Sequence, residues 1–245
     1  MSARVHPGVA IVTGASSGIG ATIAKKLASC WSTVACLSRS GRPPEGLGEH
    51  PAIRAVSCDV SDEKQIRRAF RDLAERGPII ALVNNAGIHS QNRAAETSTE
   101  EFRALLEINA IGLFVACREV HPYMQANGGG QIVNIGSFMD HMGVPTQSGY
   151  CASKAAVGAI TRCLGVEWAR DGIQVVNVAP GYVATDMNAD FLASEGGQRL
   201  LKRIPLRRAA ADEEVAALVD SILAERAPYL TGTTIYMDGG FGVSL

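Results

Sequence analysis

Tyr150 and Lys154 close the stretch Tyr150-Cys-Ala-Ser-Lys154, and Ser137 lies upstream of it. On a helix, positions i and i+4 share a face, so phenol and ammonium project to the same side. A lone phenol titrates near ~10 and is a poor acid–base catalyst at neutral pH. A cation beside it stabilises the phenolate and brings that value toward the working range. The tyrosine can then give a proton to a carbonyl oxygen or take one from an alcohol. Ser137 could hold the same oxygen while charge develops on it. Chance alone supplies about 0.1 such spacings in a chain of this composition. A surface helix with an ordinary lysine is therefore the alternative reading of the pair taken alone.

The elements that must position these groups can be traced along the chain. Val9 to Thr13 is a short apolar run ending in Gly14-Ala-Ser-Ser-Gly18-Ile-Gly20, and the amphipathic run Ala21 to Ser29 follows directly. Strand, glycine turn and helix in that order let the backbone approach a pyrophosphate, whose charge the helix N-terminus meets. Further strands are expected at Thr33 to Ser38, Ile53 to Cys58, Ile79 to Val83, Gln131 to Gly136, Gln174 to Ala179 and Thr233 to Met237. Helices are expected at Glu63 to Arg76, Thr99 to about Gln125, Ser148 to Ala169 and Asp212 to Leu223. Gly41 to Pro51 reads as loop, and 182–208 as an irregular lid with one or two short helices. The alternation predicts a doubly wound α/β fold of Rossmann type: one parallel sheet with helices on both faces. In such folds ligands sit at the carboxyl ends of the strands. Thr13, Ser38, Asp59, Asn84, Ser137 and Pro180 occupy those ends here.

The 245 residues suffice for one large core, with no repeat or linker to divide them, and a single domain is expected. Its cofactor part would run from about 8 to 135 and its catalytic and substrate part from about 136 to 245. A net charge of -1 without a basic block argues against nucleic acid or an anionic membrane as partner. The six cysteines are scattered and show no metal-ligand spacing, so no metal site is expected. They read as free thiols in a reducing compartment. The opening residues lack the long apolar core of a signal peptide, and no apolar run approaches a membrane span. A cytoplasmic location is the expectation.

With these residues placed, the chain resembles the short-chain dehydrogenase/reductase family over essentially its whole length. The resemblance rests on TGASSGIG at 13–20, CDV at 58–60, NNAG at 84–87, Asn109, GS at 136–137, YCASK at 150–154 and APG at 179–181. It implies reversible hydride transfer between a nicotinamide cofactor and a ketone or secondary alcohol. It further implies Tyr150 as acid–base and Ser137 as its partner on the substrate oxygen. Lys154 would hold the nicotinamide ribose and lower the tyrosine's pKa, and Asn109 would keep a water-linked proton path to that lysine. Gly14, Ser17, Gly18, Ile19 and Gly20 would surround the pyrophosphate, Asp59 and Val60 the adenine, and Asn85, Ala86 and Gly87 the adenosine ribose. Val183 and Thr185, just past Pro180 and Gly181, would contact the carboxamide end. Read without the family pattern, Asn109 is a helix-interior amide bonded to backbone, Asp59 a cap on the following turn, and NNAG a tight turn.

NAD-preferring relatives place an acidic residue at the end of the second strand, where Ser38 stands here. The next residue, Arg39, has a guanidinium suited to a 2′-phosphate, and Ser40 could add a hydroxyl, so NADP(H) is expected over NAD(H). The alternative leaves Arg39 in solvent and either cofactor accepted. The usual glycine before that strand is replaced around Cys30-Trp31-Ser32, where Trp31 reads as packing or interface. His89 and His141, near the expected pocket mouth, stay outside the catalytic set. The pattern resembles both 3-oxoacyl-acyl-carrier-protein reductases and gluconate 5-dehydrogenase-like sugar and polyol oxidoreductases. Gln131 and Asp171 stand where those reductases tend to carry arginine, and Thr185-Asp-Met-Asn188 looks closer to the sugar enzymes. A small hydroxy or keto substrate is expected first and an acyl thioester second. A non-catalytic nucleotide-binding regulator is the alternative from another class; a sugar-nucleotide epimerase would space its glycine turn differently. Family members are commonly homotetramers, with a dimer as second choice, built on the long helices and the tail from Ile235 to Leu245.

Overall fold

The computed structural model describes residues 5–185, 188–225, 227 and 229–244. Asp186, Met187 and Leu245, which belong to the expected substrate and tail segments, lie outside them. The described strands are β1 His6–Thr13, β2 Trp31–Ser38, β3 Ile53–Ser57, β4 Ile79–Asn84, β5 Gly130–Ile135, β6 Ile173–Pro180, β7 Val183–Ala184, β8 Ala210–Ala211 and β9 Thr233–Met237. Seven of them form one parallel sheet in the order β3-β2-β1-β4-β5-β6-β9. The helices are α1 Gly18–Ala28, α2 Glu63–Ala74, α3 Thr99–Leu106, α4 Leu113–Ala126, α5 Ser148–Glu167, α6 Ala189–Ala193, α7 Glu195–Leu201 and α8 Asp212–Glu225. None among the described residues is long and apolar enough to cross a membrane.

The strands are apolar on both sides because both faces are covered. On one face α1 and α8 pack Ile23, Leu27, Val215 and Val219 against Val12, Val34, Val83 and Val178. On the other, α2, α4 and α5 bring Ile66, Phe70, Val120 and Val157 against Ile11, Leu37, Leu82 and Val175. Helix α2 shows the local logic. Its apolar residues 66, 69, 70 and 73 are the buried ones, and Asp62 caps it by accepting from Lys64 N–H and Gln65 N–H.

Three findings amend the sequence reading. The helix expected without a break from Thr99 to about Gln125 contains a π-helical turn, Glu107–Gly112, between α3 and α4, with Asn109 inside it. A π turn inserts one residue without moving the apolar stripe far, so periodicity does not betray it. Strand β1 starts at His6 and β2 at Trp31, earlier than expected, because the two pair there and their rings stack at 4.7 Å. Trp31 is thus buried packing. The lid region carries, beside α6 and α7, the two-residue ladder β7–β8.

Candidate active site

Parallel strands align their carboxyl ends along one sheet edge, and the expected cofactor residues gather there. Gly14 and Gly18 have φ of 66° and 53°, the left-handed region that glycine adopts without penalty. A side chain at Gly20 would meet the Gly14 carbonyl at 2.4 Å, so strand end and helix start approach as only glycine permits. Ser17 makes no side-chain cap bond, which leaves the α1 N-terminus without a side-chain acceptor of its own. Thr13 Oγ accepts from the backbone N–H of both Asn85 and Ala86 at 3.0 Å, fixing the β4 tip to the β1 tip. Asn85 reinforces this by donating to the carbonyls of Thr13 and Gly14. Ile19 packs its partly buried side chain into the core, and Gly87 lies beside the Asn109 amide.

At the β2 end, Ser38 and Ser40 hydroxyls lie 3.2 Å apart, and Ser40 Oγ accepts from Arg42 N–H. Arg39 is exposed and forms no ion pair with a described residue. Asp59 accepts from Ser61 through both backbone and hydroxyl, which is the turn-closing arrangement. Val60 is half-buried, with its carbonyl against Gly112. Pro180 ends β6, Gly181 donates to the Met237 carbonyl, Val183 is buried in β7, and Thr185 N–H donates to Asn188 Oδ1. These residues fit a dinucleotide: a helix N-terminus without a side-chain cap for the pyrophosphate, strand tips around it and the exposed Arg39 guanidinium just past β2.

Ser137, Tyr150 and Lys154 come together where β5 ends and α5 begins. Ser137 N-caps the single turn Phe138–Asp140, its Oγ accepting from Met139 N–H at 3.2 Å. Its own hydroxyl proton is left to donate elsewhere. Lys154 is buried, its Nζ donating to the Ile135 carbonyl at 2.8 Å and lying 5.6 Å from the Tyr150 ring centroid. Burial pushes the Tyr150 phenol up to about 12, with a hydrogen bond from Ser137 acting the other way. Burial likewise brings Lys154 down to about 8. The Lys154 ammonium donates to the Ile135 carbonyl, and burial is the largest cause of the phenol's shift in the protein alone.

Asn109 is held at the same strand ends by direct bonds. Its amide accepts from Ile88 N–H at 2.8 Å and donates to Ile88 O at 2.9 Å and Ser153 Oγ at 3.0 Å. None of these bonds runs to Lys154. Ser153 in turn donates to the Tyr150 carbonyl at 2.7 Å, so the Asn109 side chain braces the tyrosine's own turn.

Thr13 was placed at its strand end from sequence, but its bonds to Asn85 and Ala86, like the bond from Asn109 to Ser153, join residues far apart in the chain and were missed. A third omission was visible in principle. Asn84, Asn134 and Asn177 sit in register on β4, β5 and β6, with Asn84 donating to Asn134 and Asn134 to Thr161 of α5. One asparagine near each of three successive strand ends was the available signal.

Tyr150 packs against a small buried apolar cluster of Phe138, Met139, Ile204 and Phe241, as do the partly buried Met142, Val144, Tyr182, Leu200 and Leu201. Of the two histidines, His89 packs edge-on against Tyr150 at 5.0 Å, whereas His141 packs against Tyr236.

Residues 14–242 match the family described as enoyl-(acyl carrier protein) reductase. The D-threitol dehydrogenase of Mycolicibacterium smegmatis is 33% identical, with 98% of this chain and 95% of that protein covered. The 3-oxoacyl-acyl-carrier-protein reductase MabA of Mycobacterium tuberculosis is 35% identical over 95% of this chain and 92% of its own. A crystal structure of gluconate 5-dehydrogenase from Burkholderia cenocepacia, in complex with NADP and tartrate, superposes with a TM-score of 0.90 at 30% identity, covering 99% of this chain and 98% of that one. Sheet order, glycine turn and relatives together define an NAD(P)-dependent oxidoreductase acting between ketones and secondary alcohols. The chain belongs to the short-chain dehydrogenase/reductase family.

Proposed function

We propose that Tyr150 passes the proton, Ser137 holds the substrate oxygen and Lys154 secures the cofactor ribose. The observation that carries this is the convergence of Ser137, Tyr150 and the buried Lys154 at one strand end. When bound, the nicotinamide supplies or accepts the hydride. Ser137 Oγ accepts from Met139 N–H, which leaves its hydroxyl proton available to a substrate oxygen. Burial raises the Tyr150 phenol in the protein alone, so it carries its proton in the neutral range, as a donor must. Asn109 belongs to the site as the brace between Ile88 and Ser153.

NADP(H) is the favoured cofactor. Supporting this, Ser38 puts no carboxylate at the β2 end, and Arg39 lacks an ion-pair partner among the described residues. The gluconate 5-dehydrogenase neighbour carries NADP.

A small hydroxy or keto compound of sugar or polyol type is the favoured substrate. Gln131 is buried against Gln174 and the Ile222 carbonyl, and Asp171 is bonded to His121 and Gln125. Neither position offers a cation to an acidic carrier protein. The partly buried apolar residues beside Tyr150, among them Met142, Val144 and Leu200, favour the second reading, a 3-oxoacyl thioester. Turnover of a ketose and polyol panel against 3-oxoacyl thioesters, each with NADPH and NADH, separates the two. Higher kcat/KM on the thioesters would reverse their order, and no turnover with either set would remove the proposal.

We read the chain as one domain whose parts divide near residue 135, assembled as a homotetramer, with a dimer second. Exposed Ile111 and Phe114 beside and on α4, and Tyr236 and Val243 toward the tail, support association. Its free cysteines suit the cytoplasm.

A further inference from the structure

Asp140 is a carboxylate with no role in the chemistry above, yet its side chain is only 7% exposed. It closes the turn that Ser137 opens, its N–H donating to the Ser137 carbonyl at 3.0 Å. Both carboxylate oxygens accept from the Tyr236 hydroxyl, at 3.0 and 3.1 Å, across 96 residues of chain. His141 Nδ1 lies 2.8 Å from the same carboxylate, and its ring packs on Tyr236 at 4.5 Å. The C-terminal tail passes directly over that imidazole: a side chain at Gly242 would come within 3.0 Å of His141 Nε2. The adjoining Phe241 is buried in the cluster beside Tyr150, 5.5 Å from Phe138 and 5.9 Å from Tyr182 between ring centroids.

A buried carboxylate is expensive unless its partners hold it well, and such groups are better at fixing an arrangement than at adding stability. What this one fixes is specific. It joins the turn carrying Ser137 and Phe138 to β9 and to the tail carrying Phe241. We propose that Asp140, through its clamp with Tyr236 and His141, is a positioning residue for Ser137. If the turn shifts, the Met139 N–H leaves Ser137 Oγ and the hydroxyl moves off the position from which it meets a substrate oxygen. This rests on the reading of Ser137 as the group that holds the substrate oxygen.

The test compares Asp140→Ala and Tyr236→Phe in the native protein and in a Ser137→Ala background, with kcat, cofactor KM and Tm measured for each. In the native background, kcat should fall roughly ten- to hundredfold, the scale on which small misplacements act. Cofactor KM should hold. In the Ser137→Ala background neither substitution should lower kcat further. Tyr236→Phe removes one hydroxyl from a half-exposed ring and keeps the test open should Asp140→Ala fold poorly. Losses that multiply across the two backgrounds, or a fall in Tm with kcat intact, would overturn the proposal. Full activity of Ser137→Ala by itself would instead remove the reading beneath it.

Discussion

Lys154 on α5 donates from Nζ to the carbonyl of Ile135, the last residue of β5, at 2.8 Å. One bond thus ties the helix that carries Tyr150 to the strand end that carries Ser137. The ammonium reaches this place by leaving water, and desolvation brings its pKa down to about 8.

The first prediction follows from that shift. A lowered pKa means the charge is complete only below about pH 8 and is lost as pH rises through it. The value of kcat/KM for NADPH, which reports ionisations of the free enzyme, should therefore decline above that pH. Lys154→Met should be slow and should lack this alkaline limb. An unchanged limb in the variant would assign it to another group.

Asn109 yields the second. Its amide satisfies both backbone groups of Ile88, directly after the Asn84-Asn85-Ala86-Gly87 turn. In Asn109→Ala those groups lose their partner, at about 1–3 kcal/mol for a buried unsatisfied group. Tm should drop and KM for the cofactor should rise. A loss of kcat with Tm and cofactor KM untouched would instead favour the water-linked proton path to Lys154.

Cofactor choice turns on Arg39. A charged hydrogen bond contributes ~1.5–3 kcal/mol, or roughly ten- to hundredfold in affinity. Arg39→Ala should lose most of its preference for NADPH over NADH, measured as kcat/KM for each. Equal or better use of NADH by the unaltered protein would overturn the NADP(H) assignment.

The sheet was legible because each strand is a short apolar run ended by a glycine or polar tip, and the residues at those tips do share one edge. The glycine turn, Ser137, Tyr150 and Lys154 were legible for the same reason, since local spacing places them. What escaped depends on contacts between distant parts of the chain. The π turn at Glu107–Gly112 preserves the apolar stripe. The β7–β8 ladder is two residues long and its strands differ in sequence position by 27 residues. The Asp140–Tyr236 clamp joins the fifth and last strands' surroundings with no local pattern. Protonation escaped for a different cause. Helical spacing puts the Tyr150 phenol and Lys154 ammonium on one face, but spacing says nothing of how dry that face is. Burial acts to raise the Tyr150 phenol in the protein alone.

The account as a whole stands on Tyr150 as the proton donor. Replacing it with Phe removes the hydroxyl while keeping the ring that packs against His89. The decisive measurement is the turnover of Tyr150→Phe with NADPH and the best ketone substrate, alongside its NADPH dissociation constant. Turnover should fall by at least ~10²-fold, the low end of general acid–base catalysis, with cofactor still bound as tightly. Near-normal turnover in that variant would contradict the account.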